Sequence, residues 1–259
     1  VIDFVQARGG RGLREVREEL RRHLGSPHPE AGWSACLRDA PRTPFPDERS
    51  VAEAFSKASR ADSCDYLNSR GLRPETLRDP RFADTWRIGH RGNVYFAHTD
   101  DAGILTGFEI KNRGFTGFAA GGRKTAWQSA AGPDDRALVI AESAIDALSH
   151  FQLHPRQRGS TRYLSTAGQP SRAQLDVLDR VYASMTPGSA IVAAVDADAG
   201  GLAISRTLEH LTHYHPHLVF RRDLAPSAKD WNEALQRIEH DYIRSLTRGP
   251  QHACSGPER

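Results

Sequence analysis

Three carboxylates stand where short apolar runs end. Glu142 follows Leu138-Val139-Ile140-Ala141, Asp196 follows the run 190–195, and Asp198 comes two residues later. Acids so placed suit a hard divalent cation. Magnesium takes oxygen ligands, keeps several waters, and needs few protein carboxylates when substrate phosphates complete its shell. In an extended turn, positions two apart point to the same side, so Asp196 and Asp198 would share one focus. Ala199, Gly200 and Gly201 then let the backbone turn tightly into a helix. A purely structural reading competes, because an Asp at such a position often N-caps the helix that follows.

These acids need elements to carry them. Residues 137–141 read as a buried strand, 144–153 as a helix, 162–165 as a strand and 171–185 as an amphipathic helix. A strand at 190–195, a helix at 201–211, a strand at 218–221 and a last helix from Asp230 complete the series. Strand and helix alternating in this way imply parallel βαβ units. Such sheets gather reactive groups at the carboxyl ends of their strands, which puts Glu142 and Asp196 in one crevice.

The first half has another rhythm. Leu13, Val16, Leu20 and Leu24 keep helical spacing up to Gly25, and prolines at 27, 29, 41, 44 and 46 then mark a linker. Helical periodicity returns over 50–67, and a second helix is expected at Pro74-Glu75-Thr76-Leu77. Residues 93–98 and 103–111 flank an Asp-Asp-Ala-Gly turn, which predicts a β-hairpin. Lys111, Arg113, Arg123 and Lys124 fall on loops beside Phe108, Phe115, Phe118 and Trp127. Basic groups interleaved with aromatics suit a single nucleic-acid strand whose bases stack. The same aromatics equally suit a hairpin core, with the charges merely solvated.

Four blocks in order resemble the Toprim domain of bacterial primases, topoisomerases and some nucleases: Val139-Ile140-Ala141-Glu142-Ser143-Ala144-Ile145-Asp146-Ala147-Leu148, Ser165-Thr166-Ala167-Gly168, Val195-Asp196-Ala197-Asp198-Ala199-Gly200-Gly201 and Lys229-Asp230-Trp231-Asn232-Glu233. The resemblance implies that Glu142 acts in acid or base work or binds metal, and that Asp196 and Asp198 are a metal-binding pair. Many members have glycine where this chain has Ser143, whose hydroxyl can narrow a phosphate's approach or cap the helix at Ala144. Asp230 serves as an N-cap or as a further acid beside the metal, and Lys229 as a phosphate contact. Residues 66–72, the hairpin and the run 121–127 resemble, more loosely, the subdomain that precedes Toprim in primases. The arrangement also resembles the primase-like Toprim proteins of plasmids and integrative elements.

The expected fold is therefore α/β, a Toprim domain (135–247) with a central, mostly parallel sheet flanked by helices. A smaller α+β primase-like subdomain (49–134) precedes it. Residues 1–25 are expected to be a helical remnant resembling the end of a primase zinc module, 26–48 a linker and 248–259 a disordered tail. The resemblance implies a magnesium-dependent, or manganese-dependent, primase-like nucleotidyltransferase of a mobile genetic element. Its partners would be single-stranded DNA, nucleotide triphosphates and a relaxase or helicase. The alternatives are a Toprim nuclease and a non-catalytic binding module for nucleic acid or protein.

Composition sets the outer bounds. The chain has 259 residues, 38% hydrophobic and 26% charged, which is ordinary for a globular protein. No apolar run approaches the roughly 20 residues of a membrane span, so no membrane partner is expected. Of 35 basic residues only Lys57, Lys111, Lys124 and Lys229 are lysines, a bias compatible with phosphate binding and equally with a GC-rich coding sequence. Cys36, Cys64 and Cys254 have no paired spacing, so a reducing cytoplasm is expected and a structural zinc is not. His210, His213, His215 and His217 straddle a helix end and Pro216, a poor arrangement for a common focus. Val1 in place of Met leaves room for residues upstream.

Overall fold

The computed structural model describes residues 47–247. The expected remnant helix and the tail, with all but the last residues of the linker, lie outside them. Helix α1 (Glu48–Lys57) starts at Asp47, whose carboxylate accepts the Ser50 N–H at 3.1 Å, and buries Val51 and Phe55. The single helix expected over 50–67 is two. Residues 58–64 are rich in Ser and Asp, which favour caps and turns over helix interiors. Ser59 bridges to Ile88, and Cys64 caps α2 (Asp65–Ser69). Helix α3 (Pro74–Leu77) opens on its proline, as expected.

Strand β1 (Trp86–Ile88) leads to the hairpin β2 (Val94–Thr99) and β3 (Leu105–Asn112). Asp100 closes that turn by accepting the Ala102 and Ile104 N–H groups, with Gly103 at φ +78. β4 (Phe115–Phe118) and β5 (Ala126–Gln128) complete the antiparallel part.

The second half alternates as its sequence implies: β6 (Ala137–Ala141), α4 (Ala144–Leu153), β7 (Thr161–Ser165), α5 (Arg172–Ser184), β8 (Ala190–Ala194), α6 (Ala199–His213), β9 (Val219–Arg222) and α7 (Trp231–Thr247). All pairings among β6, β7, β8 and β9 are parallel. The described strands form one mixed nine-stranded sheet in the order β4-β3-β2-β5-β7-β6-β8-β9, with β1 also on β2. β5 joins the halves, pairing Trp127 with Ser165 and Gln128 with Leu164.

The alternation of the pleat divides the core between two faces. Leu138, Ile140, Ile191 and Ala193 pack under α5 and α6 with Val177, Tyr182, Ile204 and Leu208. Val139, Ala141, Val192 and Ala194 face α4 and α7, together with Leu67, Leu77 and Phe82 of the first half. Two buried amides lock this face. Gln152 binds the Arg73 N–H, the Thr76 hydroxyl and the Gly71 carbonyl, each at 2.9 Å, while Asn232 donates to the Arg70 carbonyl at 2.7 Å. Among the described residues no helix is long and apolar enough to cross a membrane.

Candidate metal and phosphate site

The register of β6 and β8 pairs Ala141 with Ala194, so Glu142 and Asp196 leave neighbouring strands at the same carboxyl edge. The loop after β7 closes on Glu142, whose carbonyl accepts the Gly168 N–H at 3.0 Å. Gly201 holds the other wall. A Cβ there would stand 2.0 Å from the Asp196 carbonyl oxygen, so only glycine lets α6 approach this closely. Asp198 caps α6 by accepting the Gly201 N–H at 2.9 Å, and Ser143 caps α4 by accepting the Asp146 N–H at 3.2 Å. Asp230 accepts the Glu233 N–H at 2.7 Å at the start of α7. The amino ends of α4, α6 and α7 thus meet the acids at the sheet edge, and their orphan N–H groups favour anions.

Charge decides what this edge attracts. Burial, then repulsion from Asp196 and Asp198, pushes the Glu142 carboxyl above its ordinary range. Burial and then Asp230 do the same to Asp196. Asp198 goes the other way, because the Gly201 N–H and then Lys229 stabilise its carboxylate. The Lys229 ammonium stands 3.5 Å from Asp196 and 3.2 Å from Asp198. Oxygen donors in excess of positive charge are the set a magnesium or manganese ion takes, so Glu142, Asp196 and Asp198 fit one. They are spread more widely than a closed cage. Among the described residues, the three-residue group whose ligand atoms lie within 4.8 Å of one another is His150, His154 and Asp223, not the acids. An ion at the edge would draw the rest of its shell from water and phosphate.

Asp146 is the functional candidate that sequence reasoning missed. It is buried one turn into α4, bonded to Ser143 Oγ at 2.5 Å and to the Asn232 N–H at 3.1 Å. Burial pushes its carboxyl up to about 7, and Asp230 and Asp196 add to the rise. The signal was present as the Ser-x-x-acid spacing of a capping box.

The basic residues divide. Lys124 donates to the Ala167 carbonyl in the loop that also holds Glu142, and so lies beside the acid edge. Lys111 stands on β3, not on the loop expected for it, and pairs with the buried Glu109 at 2.9 Å, Arg123 pairs with Glu48 at 3.3 Å, and Arg113 is exposed at the β3–β4 turn. The aromatics mostly take the core reading. Trp127 and Phe108 are buried, Phe118 sets its edge against His98, and Phe115 alone of the four is 53% exposed. Of the late histidines, His215 binds Asp179 at 2.8 Å, His217 the Tyr182 carbonyl at 3.3 Å and His210 the Tyr214 hydroxyl at 3.4 Å.

Residues 65–134 match a family described as protein of unknown function, DUF3991, and residues 139–235 match a family described as Toprim-like. Residues 139–235 are thus similar to Toprim-like domains. No curated protein matches the chain. Among solved structures, one is a bacteriophage T7 lagging-strand DNA polymerase interacting with primase domains. Its matching chain is 18% identical, with 71% of this chain and 90% of that chain covered and a TM-score of 0.49. The primase fragment of the T7 primase-helicase protein is 17% identical, covering 74% and 77%, with a TM-score of 0.49. The zinc-binding and RNA polymerase domains of the Aquifex aeolicus primase are 14% identical, covering 95% and 69%, with a TM-score of 0.47.

Proposed function

We propose that the Toprim-like domain makes this chain a metal-dependent, primase-like nucleotidyltransferase that copies a single-stranded DNA template. The observation that carries the reading is the arrangement of Glu142, Asp196 and Asp198 at one sheet edge, with Lys229 drawn onto two of them. A bound magnesium or manganese ion would supply charge neutralisation at the α-phosphate and leaving pyrophosphate. Asp196 and Asp198 would hold it, with Asp230 next to Lys229, whose carbonyl accepts the Ala197 N–H at 2.8 Å.

The chain's own groups do the rest. Glu142, held above the usual carboxylate range by burial, is suited to take the proton of the attacking 3′ hydroxyl. Lys229 is the mobile cation. It would leave the acids for the triphosphate once the ion arrives. The amino ends of α4 and α6 present N–H donors to developing phosphate charge. Lys124 and Arg113, with Arg123 and Lys111 behind their carboxylate partners, would track the template backbone. A relaxase or helicase of a plasmid or integrative element would deliver that template.

The test is incubation of the protein with magnesium or manganese, single-stranded DNA and labelled nucleotide triphosphates, beside an Asp196→Ala/Asp198→Ala control. New short oligomers made by the intact protein alone support the reading. A shortened template would replace it with nuclease action, and neither product would leave a binding module.

A further inference from the structure

A second set of donors lies deeper along α4. His150 lies in the last turn of the helix and His154 is its C-cap, and their rings stack with centroids 4.0 Å apart. Asp223, the first residue after β9, meets them there, its N–H anchored on the Ala193 carbonyl at 3.0 Å. One ligand atom from each of the three lies within 4.8 Å of the others.

The local bonds fit coordination. His150 Nε2 is 3.2 Å from Asp223 Oδ2. Two donors each ~2.0–2.1 Å from a tetrahedral ion stand roughly 3.3 Å apart, so this pair is already spaced as two ligands of one ion. His154 Nδ1 lies 2.8 Å from the His150 carbonyl. A carbonyl can only accept, so Nδ1 carries the proton and Nε2 keeps its lone pair. That is the support metal-bound histidines receive. The His150 side chain is 0% exposed and its Nδ1 has no partner, which leaves Nε2 as the ring's one polar contact. Trp231 walls the group edge-on, 4.6 Å from the His150 ring and 5.3 Å from that of His154. The Asp223 side chain is 35% exposed, which opens a way in and a place for a water ligand.

We propose that His150, His154 and Asp223 bind one divalent transition-metal ion of the zinc class, with solvent as the fourth ligand. Two imidazoles and one carboxylate suit zinc or cobalt(II) rather than magnesium. The stacked rings, now 4.0 Å apart and 21° from parallel, open on binding to aim both Nε2 atoms at the ion. The site differs in chemistry from the oxygen-only acid edge and shares none of its residues. Its ion ties the end of α4 to the segment between Asp223 and Asp230 that carries Lys229.

The experiment is titration of the metal-free full chain with zinc, and separately with cobalt(II), in buffer holding excess magnesium. One tight ion per chain is expected, with the visible bands of tetrahedral cobalt(II). His150 is a core residue, so the variants are His154→Ala and Asp223→Ala, each checked for fold by circular dichroism. Both are expected to bind more weakly by roughly tenfold or more, while Asp196→Ala/Asp198→Ala binds as the parent does. Full affinity in folded His154→Ala and Asp223→Ala, no cobalt(II) bands in the parent, or loss of zinc with the acid-edge variant would each overturn the assignment.

Discussion

The Lys229 ammonium stands 3.2 Å from the Asp198 carboxylate, within reach of the group that also caps α6. A side-chain cation therefore offsets part of the charge of the acid edge, and a divalent ion competes with it for Asp196 and Asp198. Lys229→Met is expected to tighten magnesium binding roughly two- to fivefold in the absence of nucleotide, since an exposed ion pair no longer has to break. The same variant should bind nucleotide triphosphate less well. Calorimetric titration checks both, and weaker magnesium binding would remove Lys229 from the role of competing cation.

Asp198 does two things, and one substitution separates them. Asn caps a helix about as well as Asp. Asp196→Asn/Asp198→Asn should hold its unfolding midpoint while losing template-directed synthesis by about a hundredfold or more. A comparable loss of stability would make capping the main task of Asp198.

Gly201 is the clamp on Asp196. Gly201→Ala places a methyl 2.0 Å from the Asp196 carbonyl oxygen, against backbone that cannot swing aside. Denaturant unfolding is expected to show a loss of ~2 kcal/mol or more, with synthesis falling as Asp196 is displaced. Parent-like stability would mean that α6 is not held by this contact.

Asp146 gives stability a pH dependence of unusual sign. Its carboxyl titrates near 7 when folded and near 3.8 as an ordinary Asp, so between those values the native state holds a proton that the unfolded state releases. This contribution to stability is therefore greatest near pH 4 and is lost as pH rises through about 7. In Asp146→Asn the amide oxygen still accepts the Asn232 N–H and the amide stays beside Ser143 Oγ, while the titration, and with it this contribution, disappears. Thermal melts from pH 4.5 to 8 should show the difference between variant and parent growing with pH, by several degrees at the alkaline end. A constant difference would place the Asp146 titration outside this range.

Local periodicity determined much of this protein. The runs 137–141 and 190–194 announce buried strands, the capping residues Ser143, Ser171 and Asp198 mark where helices begin, and acids just past those strands fall at a carboxyl edge. Strand, cap and turn are properties of a few adjacent residues, so they are legible in order along the chain. The helix expected over 50–67 is two, because Ser and Asp within 58–64 favour turns and Ser59 bridges to Ile88, a contact that helical periodicity does not show.

Only the tertiary structure decided which aromatics are core, that β5 pairs with β7 to run one sheet through both halves, and that Asp146 is buried deeply enough to hold its proton near neutrality. The same is true of the meeting of His150 and His154 with Asp223, about seventy positions away. Burial and proximity depend on which distant surfaces the hydrophobic effect brings together. A residue's type and spacing state what it can do, and the packing of sheet against helix settles what it does.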